Sequence, residues 1–394
     1  MATRSVIVAG ARTPIGRFRG AFAGSRAVDL GAIAIRAALE RAGVEPGQVD
    51  YTIMGHVLQA GTGQITSRQA AIAAGIPKEI PAITINKVCL SGMSAIATAD
   101  QMIRAGEVEM VVAGGMESMT NAPFLLPQAR EGSRLGNSPL VDAMIRDGLW
   151  CSFEDQHMGA GTDAISAELG VSREDQDAWA ARSHGRAHAA WEDGRLAEEV
   201  VSVEIPKRKG DPLVVARDEG IRPDTSPETL AGLAPAFGAD GTVTAGNASQ
   251  ISDGAAAVVV TSEETASRLG LEPLAEIVAY GMSADRFPSL HTVPALAMGA
   301  ALRKAGLRTE DLALVEINEA FAAVALHASR MLGLDEAIVN VNGGAVALGH
   351  PIGASGARIV LSLAHEMRRR RVDVGGAAIC GGGGQGDALL LRAR

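Results

Sequence analysis

A chain of 394 residues has room for two domains of ordinary size. Its composition, 47% hydrophobic but only 3% aromatic with 47 glycines, suits small-residue helices packed on buried strands. A formal charge of −9 argues against non-specific nucleic-acid binding and against an anionic membrane surface. No apolar run reaches the roughly twenty residues that a membrane-spanning helix needs, and three cysteines, an odd number, do not make a disulfide framework.

The chain opens with "MATRSVIVAGARTPIG", a short strand followed by a polar turn. It lacks the charged start, apolar stretch and cleavage site of a secretory leader, and together with free thiols this predicts a cytoplasmic protein. From Asp29, "DLGAIAIRAALERAGVEPGQVDYTIMGHV" reads as an apolar-faced helix, an Ala-Gly stop, a polar turn and a buried strand. From Ile83, "ITINKVCLSGMSAIATADQMIRAGEVEMVVAGGMES" reads as strand, loop, helix, strand and glycine-rich turn. Asn121 to Gln250 is richer in proline, glycine and charge. It holds two helical stretches, of which "SREDQDAWAARSHGRAHAAWEDGRL" is the clearer, and few strand signals. A segment of that length is an insertion over one face rather than a linker, and loops so placed often carry binding.

The last third repeats the first. "PALAMGAALRKAGLRTEDLALVEINEAFA" from Pro294 answers the segment at Asp29, with Gly306 matching Gly43 at an offset of 263. "IVNVNGGAVALGHPIGASGARIVLSLAHEMRRRRVDVGGAAICGGGGQG" answers the segment at Ile83. Asn342 matches Asn86 at an offset of 256 and Cys380 matches Ala113 at 267, so the second copy is longer in its loop and helix. Two pairs in the same order read as a duplicated α/β unit rather than as chance similarity between helix–strand units.

The duplication places Cys89 in a loop after a strand and before a helix. Amide groups there favour a thiolate, and Ser91, Gly92, Ser94 and Ala95 leave room for a substrate carbonyl. The other reading of a lone cysteine is a buried, inert one. The equivalent loop of the second copy carries His350 between Gly349 and Pro351: a rigidly held general base, or a satisfied loop histidine. If the copies pack about a pseudo-twofold axis, the two loops meet and Cys89 and His350 become a nucleophile–base pair. Cys380 precedes four glycines whose amides could face an oxyanion, and suggests a second proton-transfer group. The loop lacks the helix-opening G-x-G-x-x-G context and the Lys-Ser/Thr of a phosphate cradle. Cys151 reads as structural. Asn318 and Glu319 in "EINEAFA" follow a strand, and Asn318 either orients a water or oxyanion or caps the next helix.

"NKVCLSGMSAI", "GGMESM", "GNASQISDGAAA", "NEAFA", "GGAVALGHPIGASGAR" and "CGGGGQG" together resemble the thiolase family, in the family's order and over almost the whole chain. The resemblance implies an α/β, five-layered α-β-α-β-α thiolase fold of two similar halves. The halves would be 1–120 plus 251–270 and 271–394, with 121–250 an inserted loop domain. It implies a homotetramer or homodimer, coenzyme A esters as substrates, and no redox cofactor or catalytic metal. By position, Cys89 matches the acyl-accepting nucleophile, His350 its activator, and Cys380 the group that moves the α-carbon proton. Asn318 matches the holder of a water that forms one oxyanion hole with His350; the amides of Cys89 and Gly382 would form the other. Ser249 matches a residue beside the pantetheine arm, His157 and Met158 the segment over the acyl pocket, and Arg222 a cationic contact near the nucleotide end.

Coenzyme A is anionic and the protein acidic, so a basic patch is expected; Lys207 to Lys209 in "PKRKG" with Arg222 is the candidate, a solvated charged turn the alternative. The implied activity is acetyl-CoA C-acetyltransferase: condensation of two acetyl-CoA to acetoacetyl-CoA and its reversal by thiolysis. The alternatives are a degradative 3-ketoacyl-CoA thiolase for longer chains and a non-catalytic acyl-CoA-binding relative. The latter would have lost one of Cys89, His350 or Cys380. Two positions depart from the common pattern. Leu90 stands where Gly or Ala often follows the first cysteine, and Gly381 where an aliphatic residue often follows the second.

Overall fold

The computed structural model describes residues 3–132 and 135–394. Nine strands build the frame. β1 (Ser5–Arg12), β2 (Tyr51–Gly55), β3 (Ala82–Ile85), β4 (Met110–Ser118) and β5 (Ser252–Ser262) form one half. β6 (Ala275–Ala284), β7 (Leu314–Ile317), β8 (Val374–Gly381) and β9 (Gln385–Ala393) form the other. Hydrogen bonding runs in the order β7-β8-β9-β6-β1-β5-β4-β2-β3. The halves meet where β1 pairs antiparallel with β6, from Ser5–Ile277 to Ile7–Ala275. β2 runs parallel to β3 and β4, and β7 parallel to β8. β1, β4, β5 and β8 are buried on both faces, which is why they read as continuous apolar and small-residue runs without alternation.

Helices cover both outer faces and fill the middle. Helix Ala27–Ala42 lies on β1, β4 and β5, and helix Val293–Ala305 on β6, β8 and β9. These are the first repeated pair, and each ends at a left-handed glycine, Gly43 at φ 65° and Gly306 at φ 66°, where a side chain would be strained. Helices Ser91–Arg104 and Ile352–Arg370, the second pair, pack on each other between the two halves of the sheet. They approach backbone to backbone: a Cβ on Gly92 would lie 2.8 Å from the Ala357 nitrogen, and one on Gly356 2.9 Å from Met93 Cβ. The order helix, sheet, paired helices, sheet, helix is the five-layered arrangement that the resemblance implied.

One element differs from expectation. The strand expected at the start of the second "IVNVNGG" copy is reduced to a single bridge between Val315 and Val339. The chain there turns through Glu336–Ile338, and Asn340 takes a left-handed φ of 48°. The Asn340 carboxamide replaces the missing ladder, accepting from Ile317 N at 2.8 Å and donating to Ile317 O at 2.8 Å.

The inserted segment leaves after β4 and returns at β5, two strands paired side by side from Asp253–Ser118. It carries helices Met158–Leu169 and Arg173–Glu192 and three short antiparallel ladders. Helix Arg173–Glu192 docks on the second half through buried Glu319. That carboxylate accepts from Trp179 Nε1 (2.9 Å), Ser183 Oγ (2.7 Å), Asn340 Nδ2 (2.9 Å) and Val346 N (3.0 Å). With four donors its burial is compensated, and it ties the insertion to the loop that leads to His350. Among the described residues no helix is long and apolar enough to cross a membrane.

Candidate active site

Cys89 lies between β3 and helix Ser91–Arg104, one residue before the N-cap position taken by Leu90, and is 4% exposed. The residue before it, Val88, has φ 51°. A β-branched residue in this region is strained, at a cost of about 1–3 kcal/mol, and persists only where its surroundings hold it. Here Asn86 Oδ1 accepts from Val88 N at 3.0 Å, and Ser91 Oγ accepts from Lys87 N at 2.8 Å while donating to Val88 O at 2.6 Å. The result is a sharp turn that presents the sulfur.

His350 is buried and its Nδ1 lies 2.6 Å from Ser355 Oγ. Ser355 Oγ donates its own proton to Pro351 O at 3.0 Å, so it accepts from Nδ1–H, which fixes the tautomer. Nε2 is left as an unprotonated acceptor with no partner among the described residues. Burial, reinforced by the charge of Arg358, lowers this imidazole to about 3, so it rests neutral.

Burial pushes the Cys89 thiol up to about 12; Glu117 adds to the rise, while the amides of Cys89 itself and of Gly382 offset part of it. The expectation that Cys89 rests as a thiolate is therefore corrected. It sits just outside the first helical turn in an apolar setting, and desolvation outweighs the amide groups. Burial also raises the Cys380 thiol, and the second cause is the charge of Cys89: the two sulfurs sense one another. The resting site is uncharged, with thiol, imidazole and thiol.

Cys89, His350 and Cys380 line a single cavity; the symmetry of the two copies led us to expect the first two together. Ser249, His157, Met158 and Gly382 share its wall, closed on the apolar side by Leu149, Leu290 and Phe321. Its free space is about 40 Å³, room for a water or two, and it adjoins through Met158 and Gly382 a larger cavity of about 580 Å³. Ser249 is fixed by its amide on Ala320 O at 3.1 Å. His157 caps helix Met158–Leu169: Nδ1 accepts from Gly159 N at 3.0 Å, which leaves Nε2–H as a donor.

Asn318 follows β7 and is held beside the Cys380 strand by its amide on Ala378 O at 2.9 Å. It does not cap the next helix, which begins at Ala322 after Phe321. Both polar atoms of its carboxamide are buried without a partner among the described residues. Asn318 is not among the residues that line the cavity. Arg222 and the Lys207–Lys209 turn are exposed and form no part of the cavity wall; Arg222 meets His184 Nδ1 through its amide at 3.1 Å.

Cys151 is buried in the apolar cluster that also holds Met158, Leu290 and Cys380, and all three cysteines are free. The sequence reading missed Phe237, which stacks on His157 with ring centroids 4.5 Å apart; its loop carries no local signal. It also missed Ser355, which lay five residues beyond His350 in a motif already noticed. Among the described residues no group of three or more His, Cys, Asp or Glu could hold a metal ion.

Residues 5–264 match the N-terminal thiolase domain and residues 271–393 the C-terminal thiolase domain. The chain is 57% identical over 387 residues to a probable acetyl-CoA acetyltransferase of Mycolicibacterium smegmatis, covering 98% of this chain and 100% of the relative. It is 52% identical over 387 residues to an acetyl-CoA acetyltransferase of Pseudomonas aeruginosa (98% of each chain), and 51% identical over 389 residues to one of Cupriavidus necator (99% of each).

Proposed function

The chain belongs to the thiolase family, and from that premise we propose that it is an acetyl-CoA C-acetyltransferase that condenses two acetyl-CoA to acetoacetyl-CoA and catalyses the reverse thiolysis. The observation that carries the reading is the single cavity lined by Cys89, His350 and Cys380.

In the condensing direction His350 Nε2 takes the Cys89 proton as the sulfur adds to the acetyl carbonyl. Neither a thiol near 12 nor an imidazole near 3 favours a preformed ion pair, so the transfer accompanies oxyanion formation. The amides of Cys89 and Gly382 receive that oxyanion, each such donor being worth about 3 kcal/mol. The C–S bond of acetyl-CoA breaks, and the departing sulfur recovers the proton from His350. A second acetyl-CoA enters beside Ser249 and under His157 and Met158. Cys380 passes its proton to His350 in the same step in which it removes one from the methyl carbon, so no thiolate–imidazolium pair precedes the enolate. The enolate oxygen is held by imidazolium Nε2–H and by a water on Asn318. The enolate carbon attacks the acetyl group on Cys89, the C–S bond breaks, and Cys89 recovers the proton from His350. Every proton is returned, and the products are acetoacetyl-CoA and one free coenzyme A.

The small cavity, walled by Leu149, Leu290 and Met158, supports a short acyl group. Thiolysis of 3-ketoacyl-CoA esters from four to sixteen carbons is expected to be fastest at four; a preference for eight or more would overturn the short-chain reading. Arg222 and Lys207–Lys209 remain the proposed contacts for the nucleotide end.

We further propose that the chain forms a homodimer or homotetramer through β3. This strand ends the sheet with no partner on its outer side among the described residues, and Ile83 on it is 44% exposed. Sedimentation is expected to show a dimer or tetramer that Ile83→Glu weakens; a monomeric wild type would overturn this. Three free cysteines, two proposed to act as thiols, suit the reducing cytoplasm.

A further inference from the structure

The segment that carries Cys89 meets the hairpin that carries Cys380 at two places, one of them at Gly381 in the cavity wall. Leu90 is fully buried, and its side chain occupies the space above Gly381. A Cβ on Gly381 would lie 2.7 Å from Leu90 Cγ, 3.1 Å from Cδ1 and 3.3 Å from Cδ2, and these are its three nearest neighbours. Gly381 does not have a left-handed φ, unlike Gly383 and Gly384 after it. Its backbone would accept a side chain; Leu90 is what excludes one. Three residues earlier, Lys87 Nζ reaches Asp387 at 2.7 Å, and the other Asp387 oxygen accepts from Ser94 Oγ at 2.8 Å. Asp387 stands opposite Ile379, the residue before Cys380.

The two departures noted in the sequence, a large residue after the first cysteine and none after the second, thus occupy one and the same volume. We propose that Leu90 is a positioning residue: seated over Gly381, it sets the separation of Cys89 from Cys380, with Lys87–Asp387 as the polar part of the same lock. The inference rests on the reading of these cysteines as the reacting pair. Close-packed interiors do not tolerate a second branched side chain in the same volume without moving backbone, and here the backbone that would move carries a sulfur on either side.

The test is a cycle of Leu90→Ala, Gly381→Ile and the double variant, with Tm, kcat and KM for acetoacetyl-CoA thiolysis measured on each. Gly381→Ile alone is expected to lower kcat about tenfold or more and to lower Tm, with KM nearly unchanged. In the double variant kcat is expected to return to within about threefold of wild type, with Tm recovering in parallel, because neighbours that share a volume are not additive. Should Gly381→Ile not fold, Gly381→Ala with and without Leu90→Ala provides the same cycle. Additive losses in the double variant would overturn the pairing. Coupling in Tm with kcat unmoved in all variants would overturn the positioning role. A wild type inactive on coenzyme A esters would overturn the parent reading, whereas an active wild type with additive losses would overturn this inference alone.

Discussion

Cys380→Ser is expected to divide the reaction in two. Acetyl transfer from acetyl-CoA to the enzyme should persist, because in the proposed mechanism that step uses only Cys89, His350 and the amides of Cys89 and Gly382. Carbon–carbon bond formation should fall by about 10²–10⁴-fold, the usual contribution of a positioned acid–base group. A serine hydroxyl is far less acidic than a thiol and does not supply the base that the methyl proton requires. The substitution is nearly isosteric in a buried site, so Tm should move little. The measurement is stoichiometric release of coenzyme A on mixing with acetyl-CoA, set against the steady-state rate of acetoacetyl-CoA formation. Loss of both together would mean that Cys380 serves acylation as well.

Cys89→Ser is expected to abolish both halves, with turnover down by at least about 10³-fold and no release of coenzyme A on mixing. In the wild type the same burial that raises the Cys89 thiol to about 12 has a pH consequence. The folded thiol holds its proton more tightly than an unfolded one near 8.5. Its contribution to stability is therefore present below that value and is lost as pH rises toward the folded pKa. Alkylation of Cys89 by iodoacetamide without substrate should accordingly rise about tenfold per pH unit from neutrality to pH 10. A plateau below pH 8 would show that a thiolate is already present.

Much of the site was legible because the chain is a duplication. The match of Gly43 with Gly306, and of the Cys89 loop with the His350 loop, predicted that two distant segments would meet, and they do. Cys380 was found by its glycines, which leave Gly382 free to direct an amide at Cys89. What escaped the sequence depends on contacts across the halves. The resting protonation of Cys89 follows from how deeply the second half buries it, and a local reading of a helix start does not contain that quantity. Asn340 replaces a strand with its side chain, which strand propensity does not register. Leu90 and Gly381 looked like two separate irregularities until their shared volume was visible. For Arg222 the resemblance gave a contact near the nucleotide end of the substrate, and the residue lies outside the cavity wall.

In the proposed mechanism a buried sulfur at residue 89 holds the acyl group while a second sulfur handles the proton. This is tested most directly by incubating the Cys380→Ser chain with acetyl-CoA, digesting it at low pH, and locating the acetyl group by mass spectrometry. The account predicts one acetyl per chain, on the peptide that contains Cys89. An acetyl group elsewhere, or none on a folded enzyme whose wild type turns over, would contradict it.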